Sequence, residues 1–186
     1  MREHEDKQGF AAEPHRDYLR LLARLWLPRR LNRKLGASDL VQEALLKAHA
    51  KRDQFEGETD QQYKAWLRQI LRNALIDELK RRDLPEQSVR QVEDGSRWTE
   101  KNLAANDASA GSRIGKEELL ELLAKALAEL PEDWQDVLAL HYLCGLKVGQ
   151  IAEELGRTPT SVAGLIRRGL DRLRQNPRLR ECLGEA

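Results

Sequence analysis

A chain of 186 residues, 40% hydrophobic, 34% charged and 5% aromatic, is long enough for two small helical domains, and its Leu, Ala, Arg and Glu content argues against a sheet-rich fold. A formal net charge of +1 excludes capture of nucleic acid by the field of the whole molecule, so any such binding must come from segregated charge. Cys144 and Cys182 are too few and too far apart for a disulfide framework or a zinc site, which fits a reducing compartment.

The charge is segregated. Basic residues crowd 16–34, 64–82 and 157–180, whereas 39–60 and 86–133 lean acidic. A nucleic-acid-binding protein that also docks on another protein would be arranged this way, and so would an ordinary solvated helical surface; composition leaves both open. No apolar run reaches the roughly 20 residues a bilayer span needs, and the opening MREHEDKQGF lacks the apolar core of a signal peptide, so a cytoplasmic protein without a membrane role is expected.

Along the chain, Leu19, Leu22, Ala23, Trp26 and Leu27 recur at helical spacing until Pro28 ends that helix, and Gly36 closes the segment. Ser38 or Asp39 is placed to cap a second helix with Leu40, Val41, Ala44, Leu45 and Ala48 on one stripe. After a loop over 55–60, the longest helix is predicted over about 61–82, with Tyr63, Trp66, Leu67, Ile70, Leu71, Ala74, Leu75 and Leu79 inward. Its other face carries Arg68, Arg72, Asn73, Asp77, Lys80 and Arg81.

Periodicity then fades. Pro85, Gly95, Gly111 and Gly115 among Ser, Asn and Asp mark 85–115 as a flexible linker, because so long a structureless connection is rare inside one compact domain. The expectation is an all-α protein of two small helical domains, 10–84 and 116–180, joined by that linker. In the second domain an amphipathic helix over 118–130 precedes Pro131, which opens a helix through about Cys144, with Gly145 ending it. Trp134 and Tyr142 read as core aromatics.

The segment VGQIAEELGRTPTSVAGLIRRGLDRLRQ has helix-turn-helix spacing: a short helix over 148–155 with Ile151, Ala152 and Leu155 inward, a turn at Gly156, and a second helix capped by Thr158 and started by Pro159. Val162, Ile166, Gly169 and Leu173 share one face of that second helix, which leaves Thr160, Ala163, Gly164, Arg167 and Arg168 outward. Side chains near the start of such a helix reach base edges in the major groove while flanking arginines neutralise phosphates, so these residues, with Arg157 and Ser161, are the candidate DNA contacts. Two packed helices with a solvated arginine face would give the same pattern.

The first half makes a resemblance specific. SDLVQEALLKAHAKRDQFEG followed by YKAWLRQILRNALIDELKRR resembles the second conserved region of bacterial RNA polymerase sigma factors, and LAELPEDWQDVLALHYLCGLKVGQIAEELGRTPTSVAGLIRRGLDRLR resembles their fourth. Both occur in the family's order with no room for the extra domains of larger members, as in the sigma-70 family's extracytoplasmic-function (ECF) subfamily. The resemblance implies a non-enzymatic factor without cofactor or metal that binds core RNA polymerase and directs initiation at promoter DNA. It implies further that Asp39, Leu40, Gln42, Glu43, Leu46 and Lys47 dock the polymerase. Arg68, Arg72, Asn73, Asp77, Lys80 and Arg81 would meet the minus-ten element, and 116–180 the minus-thirty-five element. An anti-sigma protein is a further candidate partner, and the free factor is expected to be a monomer.

Residue chemistry agrees in kind. An amide and acidic helix edge beside apolar residues suits a partly polar interface, and an unstacked strand needs cations with a stacking or pairing group, for which Asn73 is better placed than the apolar-striped Trp66. The departures also count: where many members carry a basic residue, Ala163 and Leu165 are apolar, which shifts the burden of minus-thirty-five contact to Thr160, Ser161, Arg167 and Arg168. A stand-alone helix-turn-helix regulator with an N-terminal sensing or dimerising half explains 116–180 equally well but leaves the face of the 61–82 helix unused. An enzyme has little support, since His4, His15, His49 and His141 lack metal-ligand spacing and no phosphate loop occurs.

Overall fold

The computed structural model describes residues 11–28, 31, 35–104, 115–143 and 145–183. The expected domain start at Phe10, the stretch 105–114 of the expected linker, and Cys144 lie outside the described residues. Among the described residues every regular element is helical.

A 3₁₀ turn, Glu13–His15, leads into α1 (Arg16–Trp26), which packs beside α2 (Ala37–Ala50) and α3 (Asp60–Arg81). The apolar stripes read from spacing meet here: Leu22, Trp26, Val41, Leu67, Leu71, Leu75 and Leu79 are buried. Each fully buried leucine contributes about 2 kcal/mol of transfer free energy. α2 starts one residue before the expected cap, on Gly36 with φ 61°, and neither Ser38 nor Asp39 caps it. Its first turn has the left-handed glycine as its anchor instead. α3 has a reciprocal cap: Thr59 Oγ1 accepts from the Gln62 N–H at 3.2 Å, and Gln62 Oε1 accepts from the Thr59 N–H at 3.2 Å.

The stretch expected to be a flexible linker differs. Residues Glu86–Ala104 form α4, which lies against α1 and α3. Two features seat it. A Cβ added at Gly95 would stand 3.0 Å from Trp26 Cδ1, so only glycine lets the helix approach without a shift. Four residues on, Thr99 Oγ1 accepts from the Trp26 indole N–H at 3.0 Å, which satisfies a buried donor.

α5 (Lys116–Ala128) and α6 (Glu132–Leu138) follow, and α6 runs on as a π-helical turn, Ala139–Leu143. That wider turn shifts the helical phase, and Tyr142, expected in the core, is 55% exposed instead. α7 (Val148–Leu155) and α8 (Pro159–Arg174) form the helix-turn-helix with the predicted limits to within a residue, and α9 (Pro177–Leu183) closes the chain. α6 crosses α8 closely, since a Cβ on Gly169 would lie 2.8 Å from Leu138 Cδ1. The two halves touch: α1 packs along α5, and their buried leucines belong to one continuous cluster.

Candidate nucleic-acid interface

The turn between α7 and α8 is built from two local devices. Gly156 takes φ 61° and ends α7, and Thr158 Oγ1 accepts from the Ser161 N–H at 3.2 Å to start α8. Val162, Leu165, Ile166 and Gly169 face inward and are buried. The opposite arc holds the expected residues: Thr160, Ala163, Arg167 and Arg168 are exposed, and Ser161 and Gly164 are half-buried. Leu165 is a core residue, so a cation at that position would have no route to solvent.

The arginines of this arc are not equivalent. Arg168 lies over the Trp134 ring, 5.8 Å from its centroid, and Arg157 pairs with Asp133 at the start of α6. Arg167 projects to solvent. Trp134 and Asp133 therefore orient two of the three cations. Sequence spacing did not signal this, because the partners stand on another helix.

On α3 the expected face divides in two. Asn73, Asp77, Lys80 and Arg81 are exposed and Arg72 half-buried. Arg68, expected to meet DNA, is instead 4% exposed. Its Nε lies 2.7 Å from Glu100 Oε1, its Nη1 donates to Tyr18 Oη at 2.9 Å, and it pairs with Glu117 of α5. Burial works against its charge, but Glu100 and Tyr18 outweigh that and raise the guanidinium above its ordinary value. Tyr63 and Trp66 stack 5.6 Å apart with Phe55 5.5 Å from Trp66, so the half-buried Trp66 belongs to an aromatic cluster that anchors the loop ahead of α3.

The residues expected to dock polymerase lie on α2. Asp39, Gln42 and Leu46 are exposed, the last by 64%, while Glu43 and Lys47 are half-buried. Leu40, expected among them, is buried in the core at 4%. Lys47 Nζ lies 2.9 Å from Glu43 and 3.6 Å from Asp77, and Arg81 lies 3.8 Å from Glu43. The Glu43 carboxylate raises the Lys47 ammonium above its ordinary range. One charge network thus joins α2 to the exposed end of α3. Among the described residues no group of His, Cys, Asp and Glu is arranged to hold a metal ion, and no helix is long and apolar enough to cross a membrane.

Comparison with known proteins bears on both faces. The sigma-70 region 2 family model matches residues 15–84, which hold α1 to α3, and the sigma-70 region 4 model matches residues 120–173, which hold the helix-turn-helix. The ECF RNA polymerase sigma factor SigL of Mycobacterium tuberculosis, in the Erdman strain among others, is 33% identical over 120 residues, 64% of this chain and 62% of SigL. The match thus spans about three-fifths of the length of these curated relatives. A crystal structure of the sigma factor RpoE with the anti-sigma factor NepR from Bartonella quintana aligns over 92% of this chain and 91% of that one, with 23% identity and a TM-score of 0.33. Sigma factors are in general non-enzymatic DNA-binding regulators. With regions 2 and 4 matched in order, and with curated relatives of the ECF type, the chain belongs to the sigma-70 family.

Proposed function

We propose that the chain is an ECF-type sigma factor that binds core RNA polymerase in the cytoplasm and directs promoter-specific initiation, without catalysis, cofactor or metal of its own. The observation that carries this reading is the pairing of two outward faces, one on each matched region: the exposed arc of α8 and the exposed end of α3.

The arc of α8 would enter the major groove at the minus-thirty-five element, with Thr160, Ser161, Ala163, Gly164 and Arg167 toward base edges. Arg168 and Arg157, held by Trp134 and Asp133, are set to act as phosphate contacts. On α3, Arg72, Asn73, Asp77, Lys80 and Arg81 would face the opened minus-ten strand, and Asp39, Gln42, Glu43, Leu46 and Lys47 of α2 the polymerase. Arg68 and Leu40 are structural. With a net charge of +1 the free factor would hold DNA weakly, and the assembled enzyme would supply the remaining cations.

The test is reconstitution. The protein is mixed with core polymerase from its host, the complex isolated by size exclusion, and transcripts mapped on fragmented genomic DNA. Discrete transcripts that vanish when Arg167 and Arg168 are both changed to Ala are expected. Tight sequence-specific binding by the protein alone, with no polymerase complex, would replace this reading with a stand-alone helix-turn-helix regulator.

A further inference from the structure

We infer that α9 and the end of α8 carry a second duplex-binding surface, a strip formed by Arg172 with one of Arg178 and Arg180, which grips DNA phosphates without reading bases. The strip rests on the duplex-binding reading of α8, which it extends from the groove to the flanking backbone.

α9 lies past the matched region 4, which ends at residue 173. Seven residues do not hold a helix by themselves in water, so its place must come from its contacts. Asn176 Oδ1 accepts from the N–H groups of Arg178 at 3.1 Å and Leu179 at 3.3 Å, and Asn176 Nδ2 donates to Glu129 Oε2 at 3.3 Å. One side chain thus caps α9 and ties it to the end of α5. Leu179 is buried where α9 packs on α5 and α8. Arg178 and Arg180 are exposed on either side of that leucine. Side chains two apart on a helix diverge by about 200°, so one of the two can share a DNA backbone with α8.

The same corner of the fold sets the arginines of the α8 flank. Trp134 underlies Arg168, Asp133 pairs with Arg157, and Glu129, which holds Asn176, precedes them by a few residues. Arg172 stands one turn beyond Arg168 on that flank. It is also about 18 Å along the axis from Thr160, farther than the roughly 12 Å width of the major groove. A helix whose first turn enters the groove therefore brings Arg172 and α9 to the backbone that borders it.

Charge points the same way. Among the described arginines, those without an acid partner are Arg20 of α1 and then Arg167, Arg168, Arg172, Arg178 and Arg180. Cations gathered in one place and left unneutralised by the fold are what a polyanion meets. An acidic protein would feel the same field, but continuity with the exposed arc of α8 favours duplex DNA.

The test is the salt dependence of holoenzyme binding to promoter duplexes. Arg172→Ala should lower the slope of log affinity against log salt by about one, and Arg178→Ala with Arg180→Ala by about one more. The losses should be equal for every minus-thirty-five sequence, and Lys at the three positions should restore the slope, since a point charge suffices for a phosphate. Asn176→Ala, which keeps every arginine but releases α9, should lose as much slope as the Arg178 and Arg180 pair. An unchanged slope in that double variant would overturn the strip and leave α9 to a protein partner. A shift in base preference would overturn its assignment to the backbone. The free full-length protein on a non-promoter duplex at low salt should show the same losses. Those losses, in a protein that forms no polymerase complex, would sink the sigma-factor reading and leave the strip standing.

Discussion

Two basic helices, α3 and α8, look alike in sequence and are used differently by the fold. On α8, Arg167 and Arg172 reach solvent without an acid partner among the described residues, and Arg168 rests on an aromatic face. On α3, Arg68 is enclosed by Glu100, Glu117 and Tyr18, Arg72 lies 3.9 Å from Glu93, and Arg81 and Arg82 share Glu78. The difference comes from the neighbours. α8 packs one face on α6 and α7 and leaves the other bare, whereas α3 is sandwiched by α2 and α4 and touched by α5 through their acids. Whether a cation is free to meet a phosphate is decided by the helices around it, not by its own periodicity.

The sharpest way to break this contrast is to delete one arginine from each helix and compare stability. Arg68→Ala leaves Glu117 and the Tyr18 hydroxyl without their buried cation, and a loss of about 3 to 5 kcal/mol in urea unfolding is expected. Arg167→Ala removes an exposed side chain and should change stability by less than about 0.5 kcal/mol. Equal effects would mean that Arg68 is no more structural than Arg167.

A second contrast concerns acid. Burial opposes ionisation of Glu121, yet hydrogen bonds from His15 and Lys64 outweigh it and hold the carboxyl at about 2 against an ordinary 4.5. A carboxyl whose folded value is depressed contributes stability above its unfolded value and loses it as pH falls through the folded one. The contact of α5 with the first domain should therefore weaken as pH falls between about 4.5 and 2. Unfolding curves of the wild type and Glu121→Gln should converge over that window; parallel curves would remove Glu121 from the account.

Within α8 the prediction separates reading from positioning. Arg167→Ala should cost the holoenzyme about 1 to 3 kcal/mol at a favoured promoter and relax selection at one base position. Arg168→Ala should weaken all duplexes alike and lower the salt slope by about one. Selection from a randomised minus-thirty-five library measures both, and identical profiles for the two variants would erase the distinction drawn from Trp134.

What the sequence disclosed follows from the same physics. The α7–α8 motif was legible because Gly156, Thr158 and Pro159 act within a few residues and the apolar stripe of α8 is unbroken. The direction of Arg68 was not, since its partners Tyr18, Glu100 and Glu117 lie 50, 32 and 49 residues away. α4 was hidden for a related reason: its seat depends on an absent side chain, at Gly95, and on one hydroxyl, at Thr99, neither of which marks a helix locally. Tyr142 was misplaced because the π-turn shifts a phase that regular spacing assumes constant.

The smallest effects lie in the two threonine caps, one on each of the compared helices. Thr59 takes part in a reciprocal cap, in which Gln62 also accepts from the Glu58 N–H at 2.8 Å, whereas Thr158 caps α8 through a single bond from Ser161. Thr→Ala at either site should cost about 1 kcal/mol. The consequences should differ in kind. α3 is 22 residues long and buried on several sides, so Thr59→Ala fraying stays local and polymerase-dependent transcription should hold. α8 carries its candidate base contacts in its first two turns, Thr160 and Ala163 among them, so fraying there disorders the groups that would enter the groove. Thr158→Ala should therefore lower initiation severalfold at a stability cost equal to that of Thr59→Ala, and Thr158→Ser should restore it. Equal transcription from the two Ala variants would mean that the first turn of α8 is not where this protein meets its promoter.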